Sequence, residues 1–514
     1  MLVKKAIIPI SKLSFPSPWL IIIIFSSLSL ISILNHSMWR DELNPWLIVR
    51  DSESFRDLIA NIHYEGHPVL WYFCLALLRT IADNPLIMQI FHWAMAIASI
   101  AIFCLYSPFN NRQKLIFSFG FFTFHEYLVI SRNYAFSVLF IFTFCKLFSS
   151  RKTTYVYLAI LLGLLANSNV YALLVSFSLL LTLLVEFYFD NKHRKQYLSQ
   201  SKKYDLFLSV GIIILCFVVS LYIIIPPADS YLHGGLDNGW MNQLDLRHFF
   251  RSLGRLFGSY FLIIPTHKRW LDLIVCTVII LFIVALTIIK LSKKPFALFF
   301  YIIGNSVIMA FTYLRFLGVP RHFGHFYLIL IAGLWLGSQY QGSTFLIDKF
   351  SLKRQTINWA EKWQGIAFML ILYVQLFGGI YGFTKELIIP FSASHATAQY
   401  IQKFQFKDKF IVASRDANMA ALSGYLNRKF YYPERQEMGS FTLFKAGRKG
   451  VEQPEILQQI TTLLTNQPDN SKILLILNKK LNVNREDLKI VPLKNFDKAW
   501  VDDERFYLYW VDKV

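Results

Sequence analysis

The chain has 514 residues, of which 55% are hydrophobic, 17% aromatic and only 16% charged, well under the roughly one quarter charged that a soluble domain carries. Its formal net charge of +20 sits mainly in short loops between apolar runs, the pattern of cytoplasmic loops in a membrane protein and not of a nucleic-acid-binding face. The five cysteines, Cys74, Cys104, Cys145, Cys216 and Cys276, are far apart and inside apolar segments, so neither a disulfide framework nor a cysteine metal site is expected.

The first apolar run, 19–34, follows Lys4, Lys5 and Lys12 and has no small-residue cleavage site after it. It reads as an uncleaved transmembrane helix and not as a signal peptide. The runs at 206–225 and 271–289 likewise approach the roughly 20 residues needed to cross a bilayer core. Loops 108–114, 150–153, 190–205, 290–295 and 341–362 are rich in Lys and Arg, whereas the connections near 125–134, 166–170 and 315–321 hold only Arg132, Arg315 and Arg321. The first set is therefore expected in the cytoplasm and the second outside.

If 67–82 also crossed, Arg112 and Lys114 would fall on the wrong face. That stretch is read instead as an interfacial or re-entrant helix that starts at Pro68, within a first outer loop spanning 35–84. The expected fold is a polytopic α-helical membrane protein of about eleven spans, N-terminus inside. A second large outer loop is expected at 226–269, in a transmembrane part covering 1–383. Segments such as KFIVAS, DANMAALSGYL and KILLILN then alternate strand and helix patterns, which predicts a small extracytoplasmic α/β domain over 384–514. Neither GxGxxG nor GxxxxGK[ST] occurs, so no nucleotide site is expected.

Four short sets of polar residues carry the candidate chemistry. Trp39-Arg40-Asp41-Glu42 directly follows the first span; a carboxylate pair beside an Arg suits a general base next to a donor phosphate, or simply a solvated loop start. His63-Tyr64-Glu65-Gly66-His67-Pro68 lacks the HExxH spacing of a zinc site, and Glu65 and His67 are expected to face the same outer cavity as Asp41. Ser131-Arg132-Asn133-Tyr134 and Arg321-His322-Phe323-Gly324-His325 put cations at membrane depth, where they match an anion or snorkel to headgroups. All four sets fall on the outer side, although unselected Arg should favour the inner one.

These segments, WRDE, EGHPVLWYF, SRNYAFSVLF and PRHFGHFYLILIAGLW, resemble the GT-C superfamily of integral-membrane glycosyltransferases over roughly residues 15–340. Within it they are similar to the group holding protein O-mannosyltransferases and lipid A aminoarabinose transferases. The resemblance implies catalytic roles for Asp41, Glu42 and Glu65, with Asp41 as base or acceptor ligand. It implies substrate binding by Arg40, His67, Arg132, Tyr134, Arg321 and His322, with Arg132 and Arg321 on the carrier phosphate, and an inverting transfer. Two positions depart from the family pattern: one Pro, Pro68, stands where two are common, and Asn133 replaces the usual Pro.

The expected function is transfer of a sugar from a polyprenyl-phosphate-linked donor to a glycolipid, glycan or protein acceptor on the outer face of a bacterial plasma membrane. Because the sugar arrives activated, no cofactor is required; the sequence leaves a divalent cation open and gives no metal ligands. A transporter or flippase of a lipid-linked substrate is the main alternative. Such a protein would favour internal repeats and charges at the bilayer midplane, and neither is found. A non-catalytic scaffold is a third reading.

Overall fold

The structure, a computed structural model, describes residues 15–230, 232, 244–265, 269–445, 450–466 and 472–514. Lys4, Lys5, Lys12 and much of the expected second outer loop (231, 233–243 and 266–268) lie outside the described residues.

Among the described residues eight helices are long and apolar enough to cross a membrane: Pro18–Asn35, Leu86–Tyr106, Tyr134–Lys152, Val170–Phe189, Asp205–Ile224, Trp270–Leu291, Pro295–Leu314 and Arg354–Ile388. The sequence suggested about eleven. The difference falls on apolar stretches that the chain cuts short. Asn111–Ser118, Val156–Ala166 and His325–Gln339 have 8, 11 and 15 residues, about 12–23 Å of helix against a hydrocarbon core of about 30 Å. The first gives way to a π-helical turn, Phe121–Glu126. The second stops at Asn167, whose amide donates to the Gly163 carbonyl at 2.9 Å, and Asn169 then caps the next helix through the Ala172 N–H. Helices Asp205–Ile224 and Trp270–Leu291 leave much of their apolar surface outward, with Phe207 84% and Leu271 70% exposed, as a lipid-facing stripe requires.

After helix α1 (Pro18–Asn35) the chain breaks and starts α2 (Arg40–Asp51), with Asp41 and Glu42 in its first turn, where carboxylates suit the helix dipole. Then come α3 (Phe55–Ile62) and α4 (Leu70–Ile81). Helix α4 begins two residues beyond Pro68, not at it, because the turn from His63 runs through Gly66 at φ +65°, a left-handed conformation that glycine adopts without penalty. That turn presents Glu65 and His67 on either side of the glycine.

The last long helix, Arg354–Ile388, has 35 residues, about 50 Å, and so outruns the core at its ends. Beyond it the chain forms a six-stranded sheet of order β3-β2-β1-β4-β6-β5, from β1 (Phe410–Ser414), β2 (Phe430–Tyr432), β3 (Glu437–Gly439), β4 (Ile473–Leu477), β5 (Leu488–Phe496) and β6 (Phe506–Lys513). Strand β1 is parallel to both neighbours, β2 and β4, and the remaining pairs are antiparallel. Central β4, Ile-Leu-Leu-Ile-Leu, is buried throughout, as a strand covered on both faces must be. Leu474 and Ile476 join Ile411 and Ala413 on one face, where helices Ser394–Lys403 and Asp416–Leu426 pack; Ile473 and Leu475 join Val412 and helix Gln453–Thr465 on the other.

Helix Asp416–Leu426 also packs against α2. Gly424 lets the two helices approach: a Cβ there would lie 3.1 Å from Leu43 Cδ1. Helix α2 is thereby held between the helical bundle and the sheet unit.

Candidate active site

A cavity of about 420 Å³ lies where α2, the Gly66 turn, the Ser131–Tyr134 segment and the short helix Pro320–Phe323 meet the sheet unit. Asp41 is among the residues that line it. Its Oδ2 accepts hydrogen bonds from the guanidinium of Arg132 and, at 2.8 Å, from Arg321 Nη2, while Arg40 Nε lies 3.8 Å from Oδ1. Burial alone would raise the Asp41 carboxyl, but the charges of Arg132, Arg321 and Arg40 outweigh it and hold the group at about 2. The three cations are steadied from behind. Arg132 lies over the Tyr134 ring at 5.6 Å, and Arg40 and Arg321 both lie over Trp39, at 5.5 and 5.4 Å, within cation–π range.

His67 Nε2 lies 3.4 Å from Arg132 Nη2. Burial, and then the positive charges of Arg132 and Arg321, push this imidazole down to about 3, so at neutral pH it is uncharged and accepts from the guanidinium. Glu65 also lines the cavity, with Oε2 accepting from Asn44 Nδ2 at 3.2 Å. Burial dominates over the nearby donors and raises this carboxyl to about 8. Tyr134 and His322 complete the wall on the bundle side, His322 with its Nδ1 accepting from the Val319 N–H at 3.0 Å.

Glu42 requires a correction: it does not line this cavity. Successive residues on a helix diverge by about 100°, so when Asp41 faces the cavity its neighbour turns inward. Glu42 is fully buried, with Oε2 2.6 Å from His36 Nε2 and Oε1 accepting from the Ser131 N–H at 2.6 Å. The other nitrogen of His36 meets Glu386, which also pairs with His125 Nε2 at 3.0 Å. Burial opposes a charge on His36, yet Glu42 and Glu386 overcome it and hold the imidazole at about 10. This ionic knot pins Ser131, and with it Arg132, against the start of α2.

The sheet unit supplies residues that sequence reasoning missed. Arg415, Asn418, Thr442 and Asp503 line the same cavity. Asp503 Oδ2 accepts from Arg40 Nη1 at 2.6 Å, and Asn418 Nδ2 donates to the Asp503 carbonyl at 3.0 Å. Arg415 and Asn418 sit just past the carboxyl end of β1, where the chain crosses to β2 on one side and β4 later returns on the other. Open α/β sheets bind ligands at such a switch point, and that was the available signal. Thr442, a lone threonine in a loop, gave none. Among the described residues no group of three or more His, Cys, Asp or Glu is gathered as a metal ion would need.

No protein-family model matches the sequence, and no curated protein matches it. Among solved structures, ArnT from Cupriavidus metallidurans, determined bound to undecaprenyl phosphate, aligns over 96% of this chain and 97% of its own with a TM-score of 0.50 at 10% identity. At that identity the likeness is one of fold, and it covers nearly the whole of both chains: this is a multi-pass membrane protein with the fold of ArnT.

Proposed function

We propose that this chain is a membrane glycosyltransferase that transfers a sugar from a polyprenyl-phosphate carrier to an acceptor on the outer membrane face. The observation that carries the reading is the carboxylate of Asp41 held between Arg132 and Arg321 in a cavity large enough for a substrate. Two guanidiniums on one carboxylate leave a net positive charge, which suits a phosphate. The wall formed by Val170, Tyr171, Phe311 and Phe316 is apolar, which suits the first isoprene units. ArnT, with the same fold, was solved with undecaprenyl phosphate bound.

The donor phosphate draws Arg132 and Arg321 from Asp41. Freed of part of that charge, the carboxylate regains basicity at the moment the donor is in place. It takes the proton of an acceptor hydroxyl. The acceptor oxygen bonds to the anomeric carbon from the face opposite the phosphate, inverting it, and the bond from that carbon to the phosphate oxygen breaks. The phosphate leaves as a monoester whose developing charge the two guanidiniums stabilise. The base thus stays weak until the donor arrives, which limits idle hydrolysis.

The test is release of polyprenyl phosphate from a panel of polyprenyl-phosphate sugars by purified protein supplied with cell-extract acceptors, beside an Asp41→Asn variant. Turnover by the wild type that falls at least a thousandfold in a folded variant supports the reading. No turnover of any donor refutes it and favours a carrier for lipid-linked substrates.

A further inference from the structure

Four residues lining the cavity carry a buried polar atom without a hydrogen-bond partner, Glu65 Oε1, His67 Nδ1, Arg321 Nε and Thr442 Oγ1, and two of these, the oxygens of Glu65 and Thr442, belong to residues that Asn44 joins. Both residues are deeply enclosed, Glu65 at 9% and Thr442 at 6% exposure. A buried hydroxyl or carboxyl left unmatched is costly, so native proteins satisfy nearly all of them. Asn44 Nδ2 donates to Glu65 Oε2 at 3.2 Å and to the Thr442 carbonyl at 3.0 Å, and its Oδ1 accepts from the Thr442 N–H at 2.9 Å. One asparagine thereby holds the Glu65 side chain beside the Thr442 backbone and leaves one side-chain oxygen of each residue without a partner.

The chemistry of the missing partner follows from its surroundings. Glu65 is raised to about 8 by burial, so at neutral pH its free oxygen carries a proton and donates. The Thr442 hydroxyl donates or accepts. An ammonium at this spot would stand in the field of Arg132, which already bears on Glu65. A phosphate has the better site at Arg132 and Arg321. A neutral hydroxyl fits both free atoms.

We propose that Thr442 and Glu65 form a subsite for the hydroxyls of a neutral sugar, and that through Thr442 the sheet unit selects the sugar carried by the donor. The proposal rests on the polyprenyl-phosphate-sugar reading above and names the substrate class within it.

The experiment is equilibrium binding to the purified full chain of a short-chain polyprenyl phosphate, its mannosyl and glucosyl conjugates, and their mono-deoxy analogues. One deoxy analogue is expected to bind the wild type roughly threefold to tenfold more weakly than its parent, the effect of one lost hydrogen bond. Thr442→Val should erase that difference and Thr442→Ser should keep it, with binding of the bare phosphate unchanged in both. Equal weakening of bare and conjugated phosphate by Thr442→Val, or no sensitivity to any deoxygenation, overturns the subsite. So does a Thr442→Val effect confined to the KM of the acceptor. Failure of the bare phosphate to bind the wild type refutes the proposed function instead. The subsite is then decided by methyl hexosides against their deoxy forms, with wild type and Thr442→Val compared in the same way.

Discussion

Asp41→Asn should abolish turnover and at the same time tighten the binding of bare polyprenyl phosphate. In the resting site the carboxylate occupies the two guanidiniums that the phosphate needs, with Arg321 Nη2 2.8 Å from Oδ2. A phosphate that displaces it settles about 5 Å from the carboxylate charge, where like charges repel by about 3 kcal/mol at an effective dielectric near 20. The Asp41 side chain is 24% exposed, and solvent there trims the term to about 2 kcal/mol, roughly thirtyfold in affinity. Asparagine keeps the shape and an acceptor oxygen but removes the charge. The assay is titration of short-chain polyprenyl phosphate into purified wild type and variant at neutral pH and low salt. Repetition at high salt should narrow the gap. Unchanged or weaker binding in a variant that melts like the wild type would refute the idea that the donor phosphate and Asp41 compete for the same arginines.

Arg321→Gln should weaken that binding about tenfold to a hundredfold, the loss of one charge-assisted hydrogen bond, and should move the acid limb of kcat/KM upward by about 1–3 pH units as Asp41 recovers its basicity; pH–rate profiles of carrier release check both. Glu42→Ala should strip the buried His36 Nε2 and the Ser131 N–H of their partner and lower stability by roughly 3–5 kcal/mol, read as a loss of melting temperature with or without substrate. Glu504 is fully buried beside Ser392 and Arg40, and burial raises its carboxyl to about 8. Its folded pKa exceeds its unfolded one, so its contribution to stability is complete below about pH 4.5 and is lost as pH rises through about 8. Glu504→Gln should therefore flatten the fall of melting temperature between pH 5 and 8, by several degrees at the upper end.

Charge distribution was legible in the sequence because membrane topology is written in it. A few arginines on the face that should lack them led to Arg40, Arg132 and Arg321, and the structure places those three around Asp41. Orientation within an element was not legible. Asp41 and Glu42 are one bond apart in sequence yet face different surroundings, a cavity and an ionic knot, because the break between α1 and α2 sets the helix phase through contacts with Ser131 and His36. The connections near 166–170 and 125–134 were legible, and Val156–Ala166 does end at Asn167; what composition did not show is how short the helices between the connections are. The strand and helix patterns after Ile388 pointed to a sheet, but pattern says nothing about which edge docks where. Thr442 and Asp503 therefore became visible only once the sheet lay against α2.

The packing of α2 between the bundle and the sheet unit also bears on how the protein is made. Arg40 meets Asp503 across 463 residues of chain, and Asn44 meets Thr442 across 398. During synthesis the second helix leaves the ribosome long before the residues that close its cavity have been translated. Until they arrive, Arg40 lacks its outer counter-ion and Asn44 has only Glu65 to hold. A chain that ended before the sheet unit would leave Arg40 without Asp503 and Asn44 without Thr442, with the pocket open on that side. The cavity is whole only when residues from both ends of the chain, Arg40 and Asn44 early and Thr442 and Asp503 late, have come together.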